Sequence, residues 1–67
     1  MNKNENKQLA AKIRVKIKQL RENGYTYKFF FTAVNYSSMD WYNFMRGYGM
    51  TDSNLLILRK LLKTINQ

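Results

Sequence analysis

The segment Ser38-Met39-Asp40-Trp41-Tyr42-Asn43-Phe44-Met45-Arg46 strings together a hydroxyl, a thioether, a phenol, a carboxamide and a guanidinium. A helix would sort them by face. Trp41, Phe44 and Met45 follow i, i+3, i+4 and belong to a core. Ser38, Met39, Tyr42 and Asn43 are thereby turned outward. A carboxamide such as that of Asn43 can pair with adenine N6 and N7 at once, and Met39 can meet a thymine methyl. Ser38 suits either a base or a phosphate, and Tyr42 suits a phosphate or a sugar. Arg46, at the exit of the segment, and Lys28, upstream, are natural phosphate ligands. The chemistry on offer is recognition of a nucleic-acid groove: base contact by Ser38, Met39, Tyr42 and Asn43, phosphate contact by Lys28 and Arg46.

Other chemistries find little support. The chain has no cysteine and no histidine, so disulfides, the usual zinc sites and Cys/His nucleophilic catalysis are excluded, and neither a metal nor another cofactor is expected. The four acids, Glu5, Glu22, Asp40 and Asp52, form no pair suited to acid–base work, and no glycine-rich loop is present to cradle a phosphate. The protein is not read as an enzyme. Asp40 falls three residues after Ser37, the spacing of a capping box, which explains an acid on the first turn of a nucleic-acid-reading helix.

The net charge of +8 on 67 residues favours a polyanionic partner. Its distribution is uneven. Residues 1–28 hold eight bases against two acids, residues 29–58 hold Arg46 against Asp40 and Asp52, and residues 59–67 add Arg59, Lys60 and Lys63. The proposed reading segment is thus the least basic part of the chain. Lys7, Arg14, Lys18 and Arg21 recur along the first helix on the face opposite its apolar stripe, as a basic face for an anionic partner. Lys12 and Lys16 flank its apolar stripe, where their stems can lie along it.

Zero prolines, three glycines and 3.6-residue apolar spacing predict an all-α fold, a compact bundle of four helices containing a helix-turn-helix. Residues 1–6 are expected to form a disordered polar tail, and residues 7–67 a single domain with helices over about 7–22, 27–34, 38–45 and 52–65. Leu9, Ile13, Ile17 and Leu20 stripe the first helix, and Asn23-Gly24 stops it. In the second helix Tyr27, Phe30, Phe31 and Val34 share a face, so Lys28 and Phe29 point away. Leu55, Leu58, Leu61, Leu62 and Ile65 stripe the fourth behind a Thr51 cap. Leu56 and Ile57 fall outside that stripe and are expected to offer a self-association or partner patch. Tyr25, Phe29, Tyr36 and Tyr48 exceed what so small a core needs. They are either partly buried there or act as anchors for a partner.

These residues resemble the lambda-repressor-like (Cro/CI, XRE-type) helix-turn-helix domains of phages and bacteria. The resemblance covers roughly residues 26–62. Phe30 and Val34 stand where that family has two apolar residues four apart in its second helix. Asn35 takes the turn position that wants a positive φ, and Ser37 caps the next helix. Trp41 and Phe44 are its buried pair, and Arg46-Gly47 resembles its exit. Phe31 departs from the family's usual small residue at the helix crossing, Tyr27 from a frequent glutamine, and no fifth helix follows within the chain. The resemblance implies a Cro-like transcriptional regulator or control factor of a phage or mobile element, reading the DNA major groove with helix 38–45.

The expected partner is double-stranded DNA, with a homodimer implied by symmetric operators. The alternative is a phage-encoded inhibitor or adaptor that uses the same fold to dock on an acidic host protein. Sequence-tolerant binding of single-stranded nucleic acid through basic and aromatic groups is a third reading. No apolar run approaches the roughly 20 residues of a membrane span, and MNKNENKQ has no secretory core, so the expected location is the cytoplasm of a bacterial host. Eight asparagines and eight lysines, both read from AT-rich codons, fit a low-GC genome or mobile element.

Overall fold

Three backbone stops divide the chain into helices. In the computed structural model, which describes residues 1–65, Gly24 (φ 103°), Asn35 (φ 56°) and Gly47 (φ 123°) adopt positive φ immediately beyond the ends of the first three helices. Each stop bonds back in the same pattern. The Gly24 and Tyr25 amides donate to the Arg21 and Leu20 carbonyls, those of Asn35 and Tyr36 to Thr32 and Phe31, and those of Gly47 and Tyr48 to Phe44 and Asn43. This pair of bonds is the Schellman motif, which satisfies carbonyls that a helix end leaves open. Glycine adopts the required φ freely, and asparagine is among the side chains that tolerate it.

The helices between these stops are α1 (Lys3–Glu22), α2 (Tyr27–Ala33), α3 (Ser38–Arg46) and α4 (Asp52–Ile65). The fold is all-α, a four-helix bundle, as expected. Side-chain caps begin every helix: Asn2, Thr26, Ser37 and Thr51 accept from the amides of Glu5, Phe29, Asp40 and Asn54. The four-residue turn 34–37, closed by Asn35 and opened into α3 by Ser37, joins α2 to α3.

The expected disordered tail over residues 1–6 is corrected. α1 starts at Lys3, because Asn2 and Glu5 form a reciprocal capping box, with the Glu5 carboxylate accepting from the Asn2 amide at 3.0 Å. Asn6 then ties this end to the α3–α4 loop, donating to the Met50 carbonyl and to Asp52 at 3.0 and 2.7 Å. The amino group of Met1 lies 3.2 Å from Asp52.

The core collects Ala10, Ile13 and Ile17 from α1, Phe30 and Val34 from α2 and its cap, Trp41 and Phe44 from α3, Met50 from the following loop, and Leu55, Leu58 and Leu62 from α4. α1 packs along α4, and α2 bridges α3 and α4. The expected stripes hold, with Leu9, Leu20, Tyr27, Phe31, Met45, Leu61 and Ile65 packed at the margin. Phe31 is accommodated at the α2–α3 crossing by lying tilted 6.3 Å from the Trp41 ring. Among the described residues, no helix is long and apolar enough to cross a membrane.

Candidate nucleic-acid interface on the third helix

Trp41 and Phe44 fix the rotation of α3. Both are almost fully buried, and at about 100° per residue this places Met39, Tyr42, Asn43 and Arg46 on the side directly away from the core. Met39 and Tyr42 are 65% and 59% exposed, Arg46 is exposed, and Asn43 is half-buried. Ser38, the first helical residue, is exposed on a flank of this face rather than at its centre. Lys28 is exposed on the first turn of α2. The structure thus gathers four of the six expected contact residues onto one face.

That face has internal order. The Arg46 guanidinium lies 5.3 Å from the Tyr42 ring centre and 5.8 Å from that of Tyr48, between two exposed phenols. Such placement restrains a flexible cation while leaving its donors free. Asn43 lines a shallow depression with Tyr36, Asp40 and Tyr48, which accounts for its partial burial. Asp40 does form the capping box: its carboxylate accepts from the Ser37 amide at 3.2 Å and its own amide donates to the Ser37 hydroxyl at 3.1 Å.

The basic face assigned to α1 is corrected. Lys7, Arg14, Lys18 and Arg21 do not oppose the core; helical geometry puts them on the flank beside it, turned toward α2 and α3. Arg14 is half-buried there. Its Nε donates to the Phe44 carbonyl at 2.6 Å and its Nη2 to the Tyr48 carbonyl at 2.7 Å, with the guanidinium 4.5 Å from the Phe44 ring centre. Burial pushes its pKa down from the ordinary arginine value, the mark of a guanidinium partly withdrawn from water. Arg21 lies over the Tyr27 ring at 5.4 Å. Arg14 therefore serves the fold, while Lys7, Lys18 and Arg21 remain exposed. Sequence reasoning missed the Arg14 clamp, whose signal was the position of Arg14 next to Ile13 at the edge of the apolar stripe.

Leu56 and Ile57, expected to offer a self-association or partner patch, are exposed at 47% and 44% on the side of α4 away from its buried stripe. The surplus aromatics divide. Tyr25 and Tyr36 are partly buried against the core, while Phe29 and Tyr48 are 43% and 61% exposed. Tyr27 packs tilted against Trp41 at 6.3 Å, a structural role rather than a phosphate-holding one. No group of carboxylates among the described residues is arranged to hold a metal ion. Comparison with known protein families, with characterised proteins and with solved structures finds no match to this chain.

Proposed function

We propose that this chain is a small DNA-binding protein that sets α3 into the major groove, as a Cro-like regulator or control factor of a phage or mobile element acting in the bacterial cytoplasm. The single observation that carries this reading is the outward face of α3. Met39, Tyr42, Asn43 and Arg46 share it, on a helix whose own caps occupy Asp40. Asn43 reads adenine, Met39 meets a thymine methyl, and Ser38, Lys28 and Arg46 hold the backbone. Symmetric operators would require pairing of two copies.

The test is selection of duplex sites from a random pool, followed by anisotropy titration of the winners. Asn43→Ala should relax preference at one position, at about 1–3 kcal/mol, and Arg46→Ala should weaken all sequences alike and reduce the salt slope by about 1. With Lys28 and Arg46 as the phosphate contacts, the slope of log K against log salt should be about −2 per protomer. Absence of any enriched site, with duplex binding untouched by both substitutions, would remove the proposal.

One observation favours a second reading. Met39, Tyr42 and Tyr48, each about 60% exposed around a single arginine, are residue types enriched in protein interfaces and poor in charge for a DNA contact. Under it the same face docks an inhibitor or adaptor on a host protein. Capture that survives nuclease but is lost in Tyr42→Ala would select this reading over the first.

A further inference from the structure

On the flank of α1 away from α3, a groove of about 270 Å³ runs between α1 and α4. α1 supplies Leu9, Lys12, Ile13 and Lys16 at i, i+3, i+4, i+7, and α4 supplies Arg59, Leu62 and Lys63 at i, i+3, i+4. The apolar members form the floor, with Ile13 and Leu62 nearly buried and Leu9 half-buried. The cations form the rim, two on each wall. No acid lines the groove, and none of the four cations has an ion pair or side-chain hydrogen bond among the described residues.

An apolar floor under four unneutralised cations selects its occupant by charge and shape. A second copy of this groove would bring eight cations together. A duplex could use the cations but has nothing to place on a concave apolar floor. A bilayer surface needs apolar side chains that project, and here they are recessed beneath the lysine and arginine stems. A helix with an apolar stripe between carboxylates satisfies both demands: its apolar side chains enter the floor and its acids reach the rim. We propose that the α1–α4 groove docks an acidic amphipathic helical segment of a partner protein. None of these residues belongs to the α3 face, so the site stands independently of the DNA-binding reading.

The test uses the full chain, isotopically labelled for amide NMR, titrated with a Leu/Glu amphipathic peptide of about 15 residues, long enough to form a helix. A scrambled peptide of the same composition, phosphatidylglycerol vesicles and a duplex oligonucleotide are titrated in parallel. The amphipathic peptide should saturably shift amides around Leu9, Ile13 and Leu62. It should bind about tenfold or more tighter than the scrambled one, and lose about tenfold in a Lys12→Glu, Arg59→Glu variant while Arg46→Ala leaves it unchanged. If the double reversal fails to fold, judged by circular dichroism, Lys16→Gln with Lys63→Gln takes its place with a loss in the same direction. Equal binding of the scrambled peptide, stronger engagement of these amides by vesicles or duplex, or no shift at millimolar peptide each overturns the proposal.

Discussion

Arg14 is the side chain whose removal should cost this fold most among its surface charges. It joins α1 to the end of α3 by hydrogen bonds of 2.6 and 2.7 Å to two carbonyls and by a 4.5 Å approach to the Phe44 ring. The Phe44 carbonyl belongs to the last turn of α3, where it accepts from the Gly47 amide and keeps a second lone pair for Arg14, and where the helix dipole favours a cation. A hydrogen bond to a charged group contributes about 1.5–3 kcal/mol, and a cation over a ring about 0.5–1. Arg14 is only partly withdrawn from water, so roughly half of that total should survive screening. Arg14→Ala should then lower stability by about 2–3 kcal/mol. For a chain of this length total stability is on the order of 3–10 kcal/mol, and the midpoint should fall by roughly 10–20 °C.

Thermal and urea melts followed by circular dichroism give the number. Trp41, the sole tryptophan and almost fully buried, reports the same transition by fluorescence. Two further variants locate the effect. Arg14→Met keeps most of the stem and removes both hydrogen bonds, so it should lose nearly as much as alanine. Arg14→Lys keeps the charge but not the rigid fork that serves two carbonyls, and should fall between. A methionine variant within about 0.5 kcal/mol of the parent would refute the reasoning, because the stem would then be the stabilising part. A true clamp also predicts that amides of residues 44–48 exchange faster in Arg14→Met than those in the middle of α4.

Asp52 should make stability fall in acid. The Asn6 amide, then the amino terminus, hold its carboxyl below the usual aspartate range, so its contribution is complete above about pH 4 and is lost as pH drops through the lower folded-state value. Asp52→Asn should flatten that part of the urea midpoint plotted against pH; an unchanged acid limb would remove Asp52 as its source. Asn35→Ala should cost about 1 kcal/mol, because alanine tolerates φ 56° worse than asparagine, whereas Asn35→Gly should cost nothing. Urea melts of both check this, and an alanine variant of parental stability would contradict it. Trp41→Phe should cost no more than about 1 kcal/mol by thermal melt, since the buried Trp41 Nε1 has no acceptor among the described residues and its removal offsets part of the lost packing. A loss above about 2 kcal/mol would show that the orphaned donor is not a liability.

What could be read from the sequence was local. Gly24, Asn35 and Gly47 declare helix ends through their own backbone freedom, and Ser37 with Asp40 declares a helix start within four residues, so α3 and the turn before it were legible. The same signal was present in Asn2 and Glu5, yet the polar run around them reads as a tail. What holds it in place is Asn6 reaching residues 44 and 46 positions away. Arg14 shows the same limit: a basic residue at the edge of an apolar stripe reads as a free charge until its partner, 30 residues on, is known. Met50 enters the core from a loop, where no periodicity marks it. The outward residues of α3 were legible because burial of Trp41 and Phe44 fixes the other side of a helix by geometry alone.

The placement of charge then bears on both proposals together. The molecule measures 32 × 28 × 17 Å, against a screening length of about 8 Å at physiological salt. Cations on the α1–α4 flank therefore do little for an anion bound to the outward face of α3, where Arg46 is the base in place. The +8 charge cannot be credited wholesale to α3. Part of it is spent internally, in Arg14, and four cations gather around an apolar groove with no acid among the described residues to balance them. A protein that only read DNA through α3 would gain more from those four on α2 or α3, where they would meet phosphate. Their concentration around a recessed apolar floor instead makes physical sense for a second, acidic ligand. Taken together, the two proposals, α3 toward DNA and the groove toward an acidic protein segment, would account for both the sparsely charged α3 and the basic groove.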